Sequence, residues 1–153
     1  MLYHLLLGSN LGDRQRLLAQ ACELMEQAGV RVEKRSSVHE TKPWGFEAEQ
    51  DFLNMAVQVQ SSLPPHELLR ATQRIEQQLG RVRHAAQQGY TSRTIDIDIL
   101  LCGSQIIATP TLSIPHPRLH LRRFALAPLA EIAPELRHPV LGKTVREMLE
   151  NSE

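Results

Sequence analysis

The sequence predicts an α+β fold, a sandwich of helices packed on a mainly antiparallel sheet, and three observations carry that expectation. Runs of strand length, apolar or alternating, recur along the chain, and two stretches show the three- and four-residue spacing of amphipathic helices. The pieces do not keep a strict strand-helix alternation, so some neighbouring strands read as hairpins, which a doubly wound parallel sheet does not use. The length, 153 residues, is that of one ordinary domain (1–153), and it can bury a core without disulfide or metal staples.

Residues 2–7 form an apolar run ended by Gly8-Ser9-Asn10, the pattern of a buried strand and a turn. Leu17, Leu18, Ala21, Leu24, Met25 and Ala28 then mark one helix face, with Asn10 or Asp13 as N-cap and Gly29 as terminator. Residues 30–38 read as an exposed edge strand. The stretch 40–51, with Thr41, Pro43 and Gly45, has no period and reads as a long loop of the kind that often carries function. Residues 52–60 alternate, with Leu53, Met55, Val57 and Val59 on one face and Phe52, Asn54, Ala56 and Gln58 on the other. Pro64-Pro65 opens a second helix with the stripe Leu68, Thr72, Ile75 and Leu79, expected to close at Gly80, while Gln73 and Glu76 share another face one turn apart. A polar loop without acids follows (81–92), then the strongest strand of the sequence (95–101). Weaker strands near 105–108 and 111–114, a break at Pro115-His116-Pro117 and a helix over 123–132 complete the pattern, with no internal repeat or linker.

Hydrophobic residues make up 42% and charged residues 22%, which excludes wholesale disorder and fibrous architectures. No apolar run approaches the roughly 18–20 residues of a membrane span. The start, 1–10, has neither a basic region nor a small-residue cleavage site, and Cys22 and Cys102 fall in helix and strand patterns as buried thiols. The expectation is a cytoplasmic protein. Seventeen Lys and Arg balance seventeen Asp and Glu, but the distribution is uneven. Between Gln77 and Ala130 the acids are Asp96 and Asp98, amid Arg81, Arg83, Arg93, Arg118, Arg122, Arg123, His84, His116 and His120. Such a region suits either a polyanionic ligand with its cation or a plain basic surface.

Asp96 and Asp98, two apart on a strand, point to one face about 7 Å apart while their isoleucine neighbours enter the core. Two carboxylates so close repel unless a cation lies between them, and Mg²⁺ shared with substrate phosphates is the usual solution; the alternative is a solvated strand face. Arg81, Arg83 and Arg93 read either as guanidinium forks onto phosphate oxygens across the intervening loop or as solvated surface arginines. His116, between two prolines and ahead of Arg118 and Arg122, reads as an anion contact or a structural turn histidine. Phe52 and Asn54, with Trp44 and Phe124, make either an aromatic slot with an amide reader for a flat heterocycle or part of the core. The Gly8–Asp13 segment matches neither the Walker nor the dinucleotide fingerprint and reads as a helix cap; no zinc-ligand spacing or serine elbow is present. RNA binding without catalysis fits the basic face, but no aromatic-rich RNA-binding strand is present, and exposed aspartates oppose a phosphate backbone.

Taken together, Gly8-Ser9-Asn10-Leu11-Gly12-Asp13, Pro43-x-Gly45 running into Asp51-Phe52-Leu53-Asn54, Glu76 with Gly80-Arg81-Val82-Arg83, Arg93-Thr94-Ile95-Asp96-Ile97-Asp98-Ile99-Leu100, Pro115-His116-Pro117-Arg118-Leu119-His120, and Pro128-Leu129 with Glu131-Ile132-Ala133-Pro134 closely resemble the 6-hydroxymethyl-7,8-dihydropterin pyrophosphokinase family of the folate pathway. The matches follow family order over nearly the whole chain. The resemblance implies a single-domain ferredoxin-like α/β/α sandwich, acting as a monomer, that transfers the terminal pyrophosphoryl unit of ATP to the pterin hydroxymethyl oxygen and releases AMP. Its partners would be ATP and 6-hydroxymethyl-7,8-dihydropterin, with neither nucleic acid nor membrane. By the same resemblance Asp96 and Asp98 would hold two Mg²⁺ ions, Arg83 and Arg93 would neutralise charge on the transferred group, His116 and Arg122 would contact phosphates, and Gln73 and Glu76 would seat the nucleotide. Thr41, Pro43, Trp44, Phe52, Asn54 and Phe124 would hold the pterin. One stretch departs from the family pattern: Gln87-Gln88-Gly89-Tyr90-Thr91-Ser92-Arg93 stands where the family writes Arg-Trp-Gly-Pro-Arg. That points to an altered covering loop, or to a paralogue acting on another pterin-like alcohol.

Overall fold

Every second residue of the first strand goes to a different helix layer, and this alternation sets the architecture. The computed structural model describes residues 1–10, 12–41, 51–86 and 95–152, the stretch 81–86 by its backbone alone. The chain order is β1 (Leu2–Ser9), α1 (Arg14–Gln27), β2 (Val30–Arg35), β3 (His39–Thr41), β4 (Phe52–Ser61), α2 (Pro65–Ala86), β5 (Asp96–Cys102), β6 (Ile107–Ala108), β7 (Ser113–Ile114), a 3-10 turn (Leu119–Leu121), α3 (Arg123–Ile132) and α4 (Val145–Glu150). Among the described residues, β2, β4, β1 and β5 lie side by side in that order, with β3 also pairing β4, and every pairing is antiparallel. The unit β1-α1-β2 thus straddles β4, and β4-α2-β5 straddles β1, which is the ferredoxin-like arrangement expected.

Tyr3, Leu5 and Leu7 of β1, Leu53, Met55, Val57 and Val59 of β4, and Ile95, Ile97 and Ile99 pack with α1 and α2 in one core. Leu6, Ala56, Leu100 and Leu101 pack with α3 and α4 in a second, on the opposite face. Each fully buried side chain of this kind contributes about 1.5–3 kcal/mol. Asp13 caps α1, its carboxylate accepting the Arg16 N–H at 3.2 Å, and Gly29 ends it at φ +83°, a conformation that a β-carbon disfavours. Cys22 and Cys102 are buried free thiols, as expected.

Four boundaries differ from the sequence reading. Gly8 lies inside β1 rather than in a turn, because its neighbours on both sides still have strand partners. The edge strand expected over 30–38 ends at Arg35 as β2, and a separate short strand, β3, takes in Glu40 and Thr41 at the start of the stretch read as a loop; both pair with β4. Gly80 does not end α2, which runs to Ala86: an interior glycine costs only about 1 kcal/mol relative to alanine, and the residues after it include good helix formers. The α4 helix was not anticipated, although Thr144 and Glu147 form a capping box written in the sequence as T-x-x-E.

Candidate active site

At the end of the sheet where β1 stops and β4 and β5 begin, the face carrying α3 changes from apolar to polar. The register puts Gly8 opposite Asn54 on one side and opposite Asp96 on the other, and the next row is Ala56, Leu6 and Asp98. Two strand spacings separate Asn54 from Asp96, about 10 Å. Gly8, between them, presents no side chain. A β-carbon there would stand 3.1 Å from Asn54 Oδ1, so the glycine keeps the row open.

Asn54 is 3% exposed, and its Nδ2 donates to Thr41 Oγ1 at 2.9 Å, leaving Oδ1 on the Gly8 side. Thr41 is the register partner of Phe52, which is half-buried on the same strand face as Asn54. Phe124, in the first turn of α3, the helix that packs over β4, keeps 38% of its surface exposed, high for a large aromatic. The Arg122 guanidinium lies 5.5 Å from the centre of its ring. Phe52, Phe124 and Asn54 are therefore all outside the hydrophobic clusters that hold the sandwich together.

Asp96 and Asp98, both half-buried, lie on this same face, as their spacing predicted, while Ile97 and Ile99 enter the opposite core. Glu76 of α2 reaches the edge of β5, its carboxylate accepting the Ile97 N–H at 2.7 Å, and so holds the segment between the two aspartates. Beyond Asp98 is a pocket of ≈ 270 Å³, lined by Leu69, Asp98, Ile99, Leu112, Ser113 and His116 among others. Gln73, exposed, is one helical turn past Leu69 on α2. The His116 N–H donates to the Leu100 carbonyl at 2.9 Å, which ties this loop to β5. Burial, then Arg122 and Arg118, push the His116 imidazole down to about 4. It is neutral at pH 7, and its Nδ1 accepts the Arg118 N–H at 3.3 Å, so the proton sits on Nε2 as a hydrogen-bond donor. An anion bound there would raise this pKa.

Asp96, Asp98, Glu76, His116, Arg122, Gln73, Asn54, Thr41, Phe52 and Phe124 are thus placed along one end of the sheet and its edge. Pro43, Trp44, Tyr90 and Arg93, and the side chains of Arg81 and Arg83, lie outside the described residues. The sequence reading missed the pocket walls Leu112 and Ser113; the Thr-x-x-Leu-Ser pattern before Pro115 carries no periodic or charge signal, and only the folded hairpin β6-β7 brings it to Asp98. Among the described residues no group of three or more His, Cys, Asp or Glu could hold a metal by itself. Two hard carboxylates do fit Mg²⁺, an ion that takes one or two protein ligands and completes its shell with phosphates and water. No helix among the described residues is long and apolar enough to cross a membrane.

Residues 4–134 match the family model for 7,8-dihydro-6-hydroxymethylpterin-pyrophosphokinase. A Bacillus subtilis protein named 2-amino-4-hydroxy-6-hydroxymethyldihydropteridine pyrophosphokinase is 49% identical over 134 residues, 87% of this chain and 78% of that protein. The protein of the same name from Aquifex aeolicus is 41% identical over 141 residues, 92% of this chain and 86% of that one. Among solved structures, the fold is shared with Plasmodium falciparum HPPK-DHPS wild type, at a TM-score of 0.73 and 16% identity. That match covers 97% of this chain, which spans 40% of the length of that one. From the family match and these two relatives, the chain belongs to the 7,8-dihydro-6-hydroxymethylpterin-pyrophosphokinase family.

Proposed function

We propose that this chain, acting as one domain over 1–153, transfers the terminal pyrophosphoryl group of ATP to the hydroxymethyl oxygen of 6-hydroxymethyl-7,8-dihydropterin, giving AMP and the pterin diphosphate for folate biosynthesis. The observation that carries the reading within the family is the row Asn54–Gly8–Asp96. It sets an amide reader about two strand spacings from the carboxylates, the reach of a bicyclic ring plus one carbon, over a residue with no side chain. Asn54 can offer both a donor and an acceptor to the guanine-like edge of a pterin, with Phe52 and Phe124 as ring contacts and Thr41 holding the amide. Pro43 and Trp44 belong to the same side of the assignment.

ATP is assigned to the pocket between Asp98 and His116, its base and sugar against Leu69, Ile99 and Leu112. Neutral His116 donates from Nε2, and Arg122 adds charge, toward the phosphates. Gln73 lies along the same edge, and Glu76 acts by fixing the β5 backbone between the carboxylates. Asp96 and Asp98 would hold two Mg²⁺ ions, which when bound supply charge neutralisation and Lewis acidity at the phosphates. Arg83 and Arg93 would neutralise the transferred group, and Asp98 or solvent would take the hydroxymethyl proton. This chemistry is chiefly positioning and electrostatics, so no strong dedicated base is needed. The protein is taken as a cytoplasmic monomer that binds neither nucleic acid nor membrane.

AMP release from ATP with Mg²⁺ and the pterin tests this, alongside Asp98→Ala. Pterin-dependent AMP formation that falls at least about 100-fold in the variant is the expected result. ATP binding without pterin-dependent AMP would instead point to a paralogue that uses another pterin-like alcohol, the reading favoured by the departure at 87–93.

A further inference from the structure

β3 is a strand of only three residues at the sheet edge, yet it carries Thr41, whose hydroxyl holds the Asn54 amide. So short a strand has few ladder bonds of its own to fix it. One end is held from α3: the Glu131 carboxylate accepts the Ser37 N–H at 2.9 Å and the Ser37 hydroxyl at 2.8 Å, and is also bonded to His39. The other end is held from α1. Arg14 Nη1 donates to Glu40 Oε2 at 2.9 Å and to the Asp51 carbonyl at 2.8 Å. Glu40 immediately precedes Thr41, Asp51 immediately precedes Phe52, and Thr41 and Phe52 are register partners. A single guanidinium therefore fastens the two chain segments that lead into this pair.

An exposed Arg–Glu pair on its own contributes little. Here the second bond is charge-assisted and goes to main chain, so its effect is on position rather than on stability. We propose that Arg14 is a positioning residue for the acceptor side of the site: it sets the separation of Thr41 and Phe52 and, through Thr41, the plane of the Asn54 amide. The proposal rests on the assignment of Thr41, Phe52 and Asn54 to the pterin made above. Because Glu131 keeps the Ser37 end of β3 in place, loss of Arg14 releases only the Thr41 end, and the nucleotide pocket across the sheet is left as it was.

The test is pterin-dependent AMP release by wild type, Arg14→Ala and Arg14→Lys, with KM measured separately for pterin and ATP, and ATP affinity measured without pterin. Arg14→Ala is expected to raise the pterin KM about tenfold, the effect of one charge-assisted hydrogen bond, with ATP affinity within about twofold of wild type. Arg14→Lys is expected to recover most of the loss, since an ammonium can donate to both oxygens. An unchanged pterin KM, or parallel rises for both substrates, overturns the proposal. If Arg14→Ala lacks the wild-type circular dichroism and is unfolded, Glu40→Ala decides: it leaves the carbonyl bond and is expected to raise the pterin KM about threefold with ATP affinity unchanged, and no rise there overturns the proposal. A wild type with no pterin-dependent AMP release sinks the functional reading itself, whereas an active wild type with an unresponsive Arg14→Ala sinks this inference alone.

Discussion

The sheet face under α3 is polar at both ends, and the two ends are built differently. At one end the row is Asn54, Gly8 and Asp96; at the other it is Gln58, His4 and Leu101. In the second row the middle residue is a large side chain, 1% exposed, and its Nε2 is paired within the row: His4 Nε2 meets Gln58 Oε1 at 3.0 Å, and Gln58 Nε2 donates to Glu33 Oε1 at 3.2 Å. In the first row the middle residue is a glycine, the aspartates keep part of their surface, and the amide presents an oxygen toward the gap. Between them, Leu6 and Ala56 give the sheet a dry contact with α3. The same strand alternation thus yields a sealed polar strut and an open polar site, and the residue on the central strand decides which.

The largest effects should come from neighbours on β5 that point opposite ways. Asp96→Asn, nearly isosteric, is expected to lower pterin-dependent AMP formation by about 10²–10³-fold with the unfolding free energy changed by less than about 0.5 kcal/mol. Ile97→Ala should act mainly on stability, costing about 2–4 kcal/mol in urea unfolding, while its folded fraction, with one wall of the pocket beyond Asp98 trimmed, loses far less activity than Asp96→Asn does. If Asp96→Asn unfolds the protein as readily as Ile97→Ala does, the division between the two faces of β5 is wrong. A smaller effect is expected at the glycine. Gly8→Ala places a methyl 3.1 Å from Asn54 Oδ1, and the amide must shift by a few tenths of an ångström. Its expected signature is a pterin KM raised about tenfold with ATP affinity unchanged, from misplacement of a specificity hydrogen bond. An unchanged pterin KM would mean that the row does not seat the acceptor.

The contrast also shows what can be read before folding. Asp96, Asp98 and the face of Phe52 and Asn54 were legible because strand alternation is local: position in the sequence fixes which side of the sheet a residue takes. The helix over 123–132 was legible in outline after the break at Pro115-His116-Pro117, and Asp13 was one of two N-cap candidates by residue type, with Asn10 the other. Gly8 was read as a turn because a glycine that opens space in a sheet and one that turns the chain look alike until the partners on both sides are known. Arg14 was passed over for the same reason: it stands in an ordinary helix start, and its partners Glu40 and Asp51 are 26 and 37 residues away. Long-range register, not composition, separates a site residue from a structural one here.

The sealed end supplies the finest test, because His4 has a cost that the open end lacks. Its Nδ1 is buried without a hydrogen-bond partner among the described residues, and burial, aided by Lys34 and opposed by the bond to Gln58, lowers its pKa. A histidine whose folded-state pKa lies below its unfolded value near 6.5 binds fewer protons when folded, so stability is full above about pH 6.5 and is lost as pH falls toward the folded-state value. The slope for one such group is at most about 1.4 kcal/mol per pH unit. His116 and His138 are shifted in the same direction and add to the total. Urea unfolding at pH 7.5 and 5.5 should therefore show a drop in wild type that is smaller in His4→Gln, and ATP, by raising the His116 pKa, should also reduce it. The two reductions should add, since His4 and His116 belong to opposite ends and share no partner. An undiminished pH dependence in His4→Gln would mean that the imidazole is not confined as its surroundings require, and that the sealed end admits water much as the site does.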